Sequence, residues 1–475
     1  MSRRFIHNAR SSGLQLAVNQ CAGLLIFYIL SRFLNKSEFG ELSWTLAVCL
    51  AIFTILPLGL DQVIVQKLAA GKSASDLAGI YFFHVLITGV ILYAALLCCF
   101  YLFPGFFHIH FLLIFLAFGK LLFFFSMPFK QIATGLEKFS LLMYMSIGSS
   151  LAKLAGLVFL AAGNRLSVQQ AALVFIVADG LELIVSAILY AGMAKKRPSF
   201  HFDGKAYFAL LKECRPQAGV ALFSSALARM DWILIGLFLT GSKLGEYSFA
   251  YKVFELSTLP LLMIAPLLLP LFSRYLKEGR TVVREARVQF LLKLELVIAG
   301  LTVLLLNVLW VPVMEPLTQG RYGKVNSETV FLLSLSIPML YLNNFLWSIH
   351  FANGRLKMVL KIFALAFAVN LLLNFCFIPL WGNEGAALAF LISTFLHTFL
   401  YSIRLKEVHV LAWQSVVVCL LAALGSGLLG SLFFSSSWLI LCFSFLFYLF
   451  LLMLQSGTED RGRLRALFAG QKSNP

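Results

Sequence analysis

Charged side chains are scarce in this sequence. Asp, Glu, Lys and Arg supply 12% of its 475 residues, about half the share found in a soluble domain. With 60% hydrophobic residues and a mean hydropathy of +0.89, the soluble, disordered and secreted disulfide-framed classes are excluded. Acidic residues are scarcest, 21 against 38 Lys and Arg, for a net charge of +17. On a soluble protein that excess suggests nucleic acid. On a chain this apolar it reports which side of a bilayer each loop occupies, and no nucleic-acid partner is expected.

Patterns that carry chemistry are missing too. The eight cysteines (21, 49, 98, 99, 214, 376, 419 and 442) show no metal-ligand spacing, and all but Cys214 fall in apolar runs, so they read as packing residues. There is no Walker-type phosphate loop, H-E-x-x-H motif, nucleophile elbow or metal cluster, and no alternating β-barrel pattern. Isolated histidines at 84, 108, 110, 350 and 397 read as packing or interface residues.

What is present is a succession of long apolar runs, rich in the 47 phenylalanines. Fourteen are long enough to cross a bilayer: 13–33, 42–64, 79–103, 109–130, 139–161, 169–193, 217–239, 248–272, 291–313, 329–351, 358–380, 385–403, 411–434 and 437–455. The first is full length and lacks a small-residue cleavage site, so it reads as an uncleaved anchor. Prolines 57, 260, 266 and 338 inside spans mark expected bends.

With the N-terminus placed inside, 28 of the 38 cations fall in cytoplasmic segments, 6 in outside loops and 4 (Lys120, Lys153, Arg229 and Lys252) within spans. Both termini are therefore expected in the cytoplasm, and the basic loops attract anionic membrane lipids. The longest outside loop, 314–328, is too short for a catalytic domain. The connections 194–216 and 273–290 read as amphipathic: Tyr207, Leu210 and Leu211 beside Lys205 and Lys212 suit either an interfacial helix or a solvated basic linker.

The sequence also repeats itself. Residues 33–43 (FLNKSEFGELS) match 238–248 (FLTGSKLGEYS) at six of eleven positions, both after an outward-going span. Residues 133–138 (ATGLEK) match 352–357 (ANGRLK), and Gly163-Asn164 matches Gly382-Asn383. Six crossings separate equivalents, so spans 1–6 and 7–12 form a parallel repeat. The expected organisation is an N-lobe at 1–193, a cytoplasmic linker at 194–216, a C-lobe at 217–403, two further spans at 404–455 and a cytoplasmic tail at 456–475. Two such lobes suit alternating access through a central cavity.

Ionisable residues at bilayer depth point to a site. Arg229 and Asp231 lie near the middle of span 7, Lys120 in span 4, Lys153 in span 5, and Asp179 and Glu182 share a face of span 6. These suit either structural ion pairs or a cavity whose cations receive an anionic headgroup, with carboxylates that titrate or bind a coupling ion. Lys252 and Glu255 share a face near the end of span 8. Like Arg32, Asp61 and Glu295, they read first as snorkelling or locally paired groups. Asn19, Gln20, Asn307, Asn343, Asn344, Asn370, Asn374 and His397 either line the cavity or join helix to helix.

Residues 32–40, Leu58-Gly59-Leu60, 231–236 (DWILIG), Gly245-Glu246-Tyr247, Ala250-Tyr251-Lys252, Ala352-Asn353-Gly354-Arg355, Asn370 to Asn374 and 378–387 (IPLWGNEGAA) resemble the polysaccharide-transporter branch of the multidrug/oligosaccharidyl-lipid/polysaccharide exporter superfamily. The resemblance implies an all-α polytopic membrane protein of about fourteen helices, MATE-like, with two pseudo-symmetric six-helix lobes and two C-terminal helices. It implies a flippase of the bacterial inner membrane, not an enzyme, that moves undecaprenyl-diphosphate-linked oligosaccharides outward for O-antigen, capsule or exopolysaccharide synthesis. A lipid-linked peptidoglycan precursor flippase or a multidrug/cation antiporter are the alternatives. Depth and charge assign Lys120, Lys153, Arg229 and Lys252 to substrate binding, and Asp179, Glu182, Asp231 and Glu255 to ion coupling. No cofactor is expected beyond coupling H+ or Na+; polymerase and chain-length proteins are the expected partners.

Overall fold

The computed structural model describes residues 3–69, 73–105, 110–193, 203–278 and 285–455. The expected tail at 456–475, residues 194–202 of the linker, 279–284 of the second connection and His108 lie outside the described residues. The first half of the helix order is α1 (Arg3–Phe33), α2 (Lys36–Ile55), α3 (Leu60–Ala69), α4 (Ala74–Leu102), α5 (Leu112–Gly135), α6 (Phe139–Ala162), α7 (Val168–Met193) and α8 (Gly204–Phe238). Then come α9 (Gly241–Ser257), α10 (Leu259–Lys277), α11 (Ala286–Leu317), α12 (Ser327–Leu335), α13 (Ile337–Ala352), α14 (Leu356–Ser402), α15 (Lys406–Phe433) and α16 (Ser437–Gln455). Among the described residues there is no strand, and ten helical segments are long and apolar enough to cross a membrane. The protein is an all-α polytopic membrane protein. Large apolar side chains stand exposed along it, among them Ile91, Phe159, Ile188, Leu380 and Leu421; in lipid they meet a matching solvent, whereas in water they would aggregate.

Within the described residues the fourteen expected spans fall on helix apart from an end residue or two, but three are broken. Span 2 stops at Ile55, turns through Leu58 and Gly59 with positive φ, and resumes at Leu60. Span 8 breaks at Thr258, with Pro260 in the first turn of α10, and span 10 at Ser336, with Pro338 in the first turn of α13. The ring of each proline forbids an i→i−4 bond and favours a helix start, so the expected bends become restarts. Spans 11 and 12 run together through Gly382, whose φ of 59° and ψ of −130° only glycine adopts without strain. Span 4 runs five residues beyond its expected end, to Gly135.

The chain separates into two compact units, Met1–Gly245 and Glu246–Pro475. The linker expected at 194–216 therefore lies inside the first unit, along with α8. Its described part is not a solvated linker. Residues 204–216 are the opening turns of α8, N-capped by Asp203, with Leu210 and Cys214 buried in a core that includes Leu60, Ile64 and Tyr81. His84 secures this end. Its Nε2 donates to the Leu56 carbonyl, which the break in span 2 strips of its helical partner, so Nδ1 accepts from the Tyr207 hydroxyl (3.0 Å each). A Lys67–Glu213 pair at 2.8 Å lies on the same junction.

The duplicated turns have matching structure. Asn35 and Thr240 each cap the following helix, the side chain of Asn35 accepting from the Glu38 amide and that of Thr240 from the Lys243 amide. The two turns also meet each other in the first unit. A Cβ on Gly40 would overlap the Gly241 carbonyl, and one on Gly245 would overlap the Lys36 carbonyl. Since 36 and 40 correspond to 241 and 245, the contact is self-complementary, as across a two-fold axis. The second repeat closes in a different register from its sequence match. The helix-ending bonds run Lys138 N–Ala133 O (2.8 Å) and Arg355 N–His350 O (3.1 Å), so Lys138 corresponds to Arg355 and not to Lys357.

The second unit packs around Phe272, Leu296, Leu342, Phe345 and Tyr401. Its amides join span to span: buried Asn370 donates to Ser393 across the two halves of α14 (3.1 Å) and half-buried Asn307 to Ser334 (2.9 Å), while Asn374 bonds back to Asn370 (3.0 Å). In hydrocarbon such bonds satisfy groups that water would otherwise serve.

Candidate functional site

Helices α5, α6 and α7 pack together in the first unit and carry the densest group of charges inside the apolar region. Asp179 on α7 is 1% exposed and holds two lysines: its Oδ2 accepts from Lys120 of α5 at 2.9 Å and its Oδ1 from Lys153 of α6 at 2.5 Å. One turn on, Glu182 is equally buried; its Oε1 accepts from Lys130 of α5 and its Oε2 from the Ser149 hydroxyl of α6. The i,i+3 spacing of Asp179 and Glu182 puts both carboxylates on one face, aimed at the seam between α5 and α6. All four carboxylate oxygens thus have a side-chain donor.

Sequence reasoning missed Lys130. It counts as a cytoplasmic flanking cation when span 4 ends at 130, yet the helix continues past it and its side chain is buried. Lys120 and Lys130 lie about 15 Å apart along α5, whereas Asp179 and Glu182 are about 4.5 Å apart along α7. The two long lysine side chains converge on one level from either side. Phe123 lies between them on α5, its ring centroid 5.3 Å from the Lys120 ammonium and 4.1 Å from that of Lys130. Such contacts soften burial of the charges by about 0.5–2 kcal/mol. Phe175 plays the same part for Lys153 at 5.7 Å, and Cys49 of α2 lies close enough to feel both Lys120 and Asp179.

Charge does not cancel in this group. Three lysines face two carboxyl groups, so with each group in its ordinary ionised form one positive charge is left over in a low-dielectric setting where an unbalanced ion is costly. Lys120 and Lys153 are also its more open cations, with side chains 12% and 13% exposed. Each has three N–H donors and gives one to Asp179, so each retains donors for another acceptor. The arrangement is a pair of cations held side by side by a shared counter-ion, suited to a multiply charged anion.

The other expected site residues lie elsewhere. Arg229 and Asp231 are on α8, which packs chiefly on α2; the Arg229 guanidinium sits 4.8 Å from the Trp232 ring, and buried Asp231 accepts from the Trp232 amide at 2.9 Å. Lys252 and Glu255 form an i,i+3 pair at 2.7 Å on α9, both about one-third exposed, which is the local pairing expected of them. Glu295 departs from expectation. Among the described residues it neither snorkels nor pairs: it is 1% exposed and neither carboxyl oxygen has a hydrogen-bond partner there.

A family model described as polysaccharide biosynthesis protein matches residues 7–276. The chain belongs to that family. The match covers the first unit from residue 7 onward, with every lysine and carboxylate of the α5–α7 group. Comparison with curated protein sequences finds no match. Among solved structures, the fold resembles the lipid II flippase MurJ in an inward closed conformation, with a TM-score of 0.73 at 14% identity over 94% of this chain and 98% of that one. An inward-facing multidrug resistance MATE family transporter of the MOP superfamily gives 0.66 at 13% identity, over 84% of this chain and 95% of that one. A MOP superfamily transporter from Pyrococcus furiosus, described as having a binding pocket of reverse polarity, gives 0.60 at 12% identity, over 88% and 96%. At these identities the likeness concerns the fold, which is that of the MOP transporters.

Proposed function

We propose that this protein is a flippase that carries undecaprenyl-diphosphate-linked oligosaccharides from the cytoplasmic to the outer face of a bacterial inner membrane, for O-antigen, capsule or exopolysaccharide assembly. The observation that carries the reading is the Lys120–Asp179–Lys153 bridge with its surplus positive charge. A diphosphate moved through an apolar region needs cations at hand, because an unpaired phosphate there is prohibitive. In the absence of substrate Asp179 keeps the two ammonium groups together; an arriving diphosphate competes for their remaining donors. Membership of a polysaccharide biosynthesis family favours a sugar-bearing lipid over a drug cation, and a cation-lined site repels the latter. Asp179, Glu182, Asp231 and Glu255 remain the coupling candidates, and both termini lie in the cytoplasm on this reading.

The test is complementation of a strain that lacks its own flippase but makes the lipid-linked oligosaccharide. Lys120→Ala and Lys153→Ala should each lower surface polymer by tenfold or more at unchanged protein level in the membrane. That scale follows from the worth of a charge-assisted hydrogen bond, about 1.5–3 kcal/mol. Wild-type polymer in both variants refutes the assignment.

A further inference from the structure

The second unit contains a carboxyl group that no contact accounts for. Glu295 lies nine residues into α11, between Leu292 and Leu296, which are 2% and 0% exposed. The residue is itself 1% exposed, and among the described residues no donor reaches either oxygen. Lys293, two positions away, leaves the helix on a different side, since residues i and i+2 do not face each other. An ionised carboxylate in such surroundings carries a desolvation cost of several kcal/mol that nothing here offsets. The group is stable in this place only with a cation on it.

The neighbours indicate which cation. On the same face of α11, two turns along, stands Thr302, whose hydroxyl is turned to the Ile298 carbonyl (2.9 Å). From α13 the buried Tyr341 hydroxyl, which has no hydrogen-bond partner among the described residues, lies towards Thr302, the Leu261 backbone and Glu295. Leu261 belongs to the first turn of α10, just after the break in span 8. From α16, Tyr448 meets another side of α11, where its hydroxyl donates to the Val297 carbonyl (2.8 Å), with Cys419 of α15 next to it. From α12, Ser334 meets α11 only further along, at Asn307. None of these groups is a second carboxylate, and among the described residues no cluster of His, Cys, Asp and Glu is able to hold a metal ion. One carboxyl among apolar side chains, with no second carboxylate, His or Cys beside it among the described residues, is too poor in ligands for a divalent or transition metal ion and sufficient for a proton.

We propose that Glu295 is a proton-binding site of the second unit that takes up and releases one proton in the transport cycle. The link to transport rests on the flippase reading above; proton binding itself does not. Tyr341 faces both the carboxyl and the Leu261 backbone just after the α9–α10 break, so rearrangement of that break would change what faces the carboxyl and hence whether it holds its proton.

Two measurements on the full chain decide this. Dicyclohexylcarbodiimide partitions into apolar regions and reacts with the acid form of a carboxyl. The acid proton passes to a carbodiimide nitrogen, the carboxylate oxygen bonds to the central carbon, and rearrangement leaves a stable N-acylurea. Mass spectrometry of the treated protein should find this adduct on Glu295, less of it as the pH rises from about 5 to 9, and none at that position in Glu295→Gln. Absence of the adduct at every pH overturns the site. Second, surface polymer is measured against external pH in the complemented strain, where Glu295→Gln should flatten the wild-type dependence. An adduct on Glu295 together with an unchanged pH profile in the variant overturns the coupling role. If the wild-type chain restores no polymer, the flippase reading fails, and the labelling still decides whether Glu295 binds a proton.

Discussion

Replacing Glu182 with Leu removes the partner of a buried lysine and nothing else of similar weight. Lys130 keeps a side chain 9% exposed, with Phe123 as its remaining described contact. Stripping one member from a buried pair costs about 3–5 kcal/mol, because the other charge stays desolvated. The Ser149 hydroxyl also loses its acceptor, for about 1 kcal/mol more. A total of about 4–6 kcal/mol corresponds to a fall in Tm of about 8–24 °C, at about 2–4 °C per kcal/mol for a unit of this size. Lys130→Met should cost a comparable amount, since it strands Glu182 with only Ser149. The double variant Lys130→Met, Glu182→Leu removes both charges and fills the space with apolar atoms, so it should return to within about 2 kcal/mol of wild type. Thermal unfolding of the full chain in detergent, followed by fluorescence-detected gel filtration, measures all three. Single variants within about 2 °C of wild type, or a double variant no more stable than the singles, would refute the view that this ion pair is closed and buried.

Two glycines give further tests. Gly40→Ala puts a methyl group into the Gly241 carbonyl, so the backbones must separate; the same detergent assay should show a loss of about 1–3 kcal/mol or more. Gly382→Ala leaves a side chain at φ 59° and ψ −130° and should cost about 1–3 kcal/mol, whereas Ala at Gly148, where a Cβ meets nothing within 4 Å, should unfold with wild type.

The spans were legible because length and apolarity are local properties, and Pro57, Pro260 and Pro338 marked where three of them depart from straight helix, though as bends and not as the breaks that the structure shows. The face shared by Asp179 and Glu182 was legible for the same reason: helix periodicity fixes it. What the sequence did not disclose depends on where helices end and on what packs beside them. An end misplaced by five residues turned buried Lys130 into a loop cation. Depth alone made Glu295 a snorkelling group, although α11 begins at Ala286 and leaves it about 13 Å from the helix start. The two-residue shift between sequence match and structure at Lys138 and Arg355 has a similar origin, since hydrogen bonds close these turns and identities do not.

The reciprocal contact of the two duplicated turns has a consequence for how the sequence can change. Each glycine accommodates the backbone of the other repeat, so the space one requires is defined by a segment that descends from its own duplicate. Neither Gly40 nor Gly245 is free to drift alone. In a set of related chains the two positions should vary together or not at all, long after the rest of the repeats have lost any visible kinship.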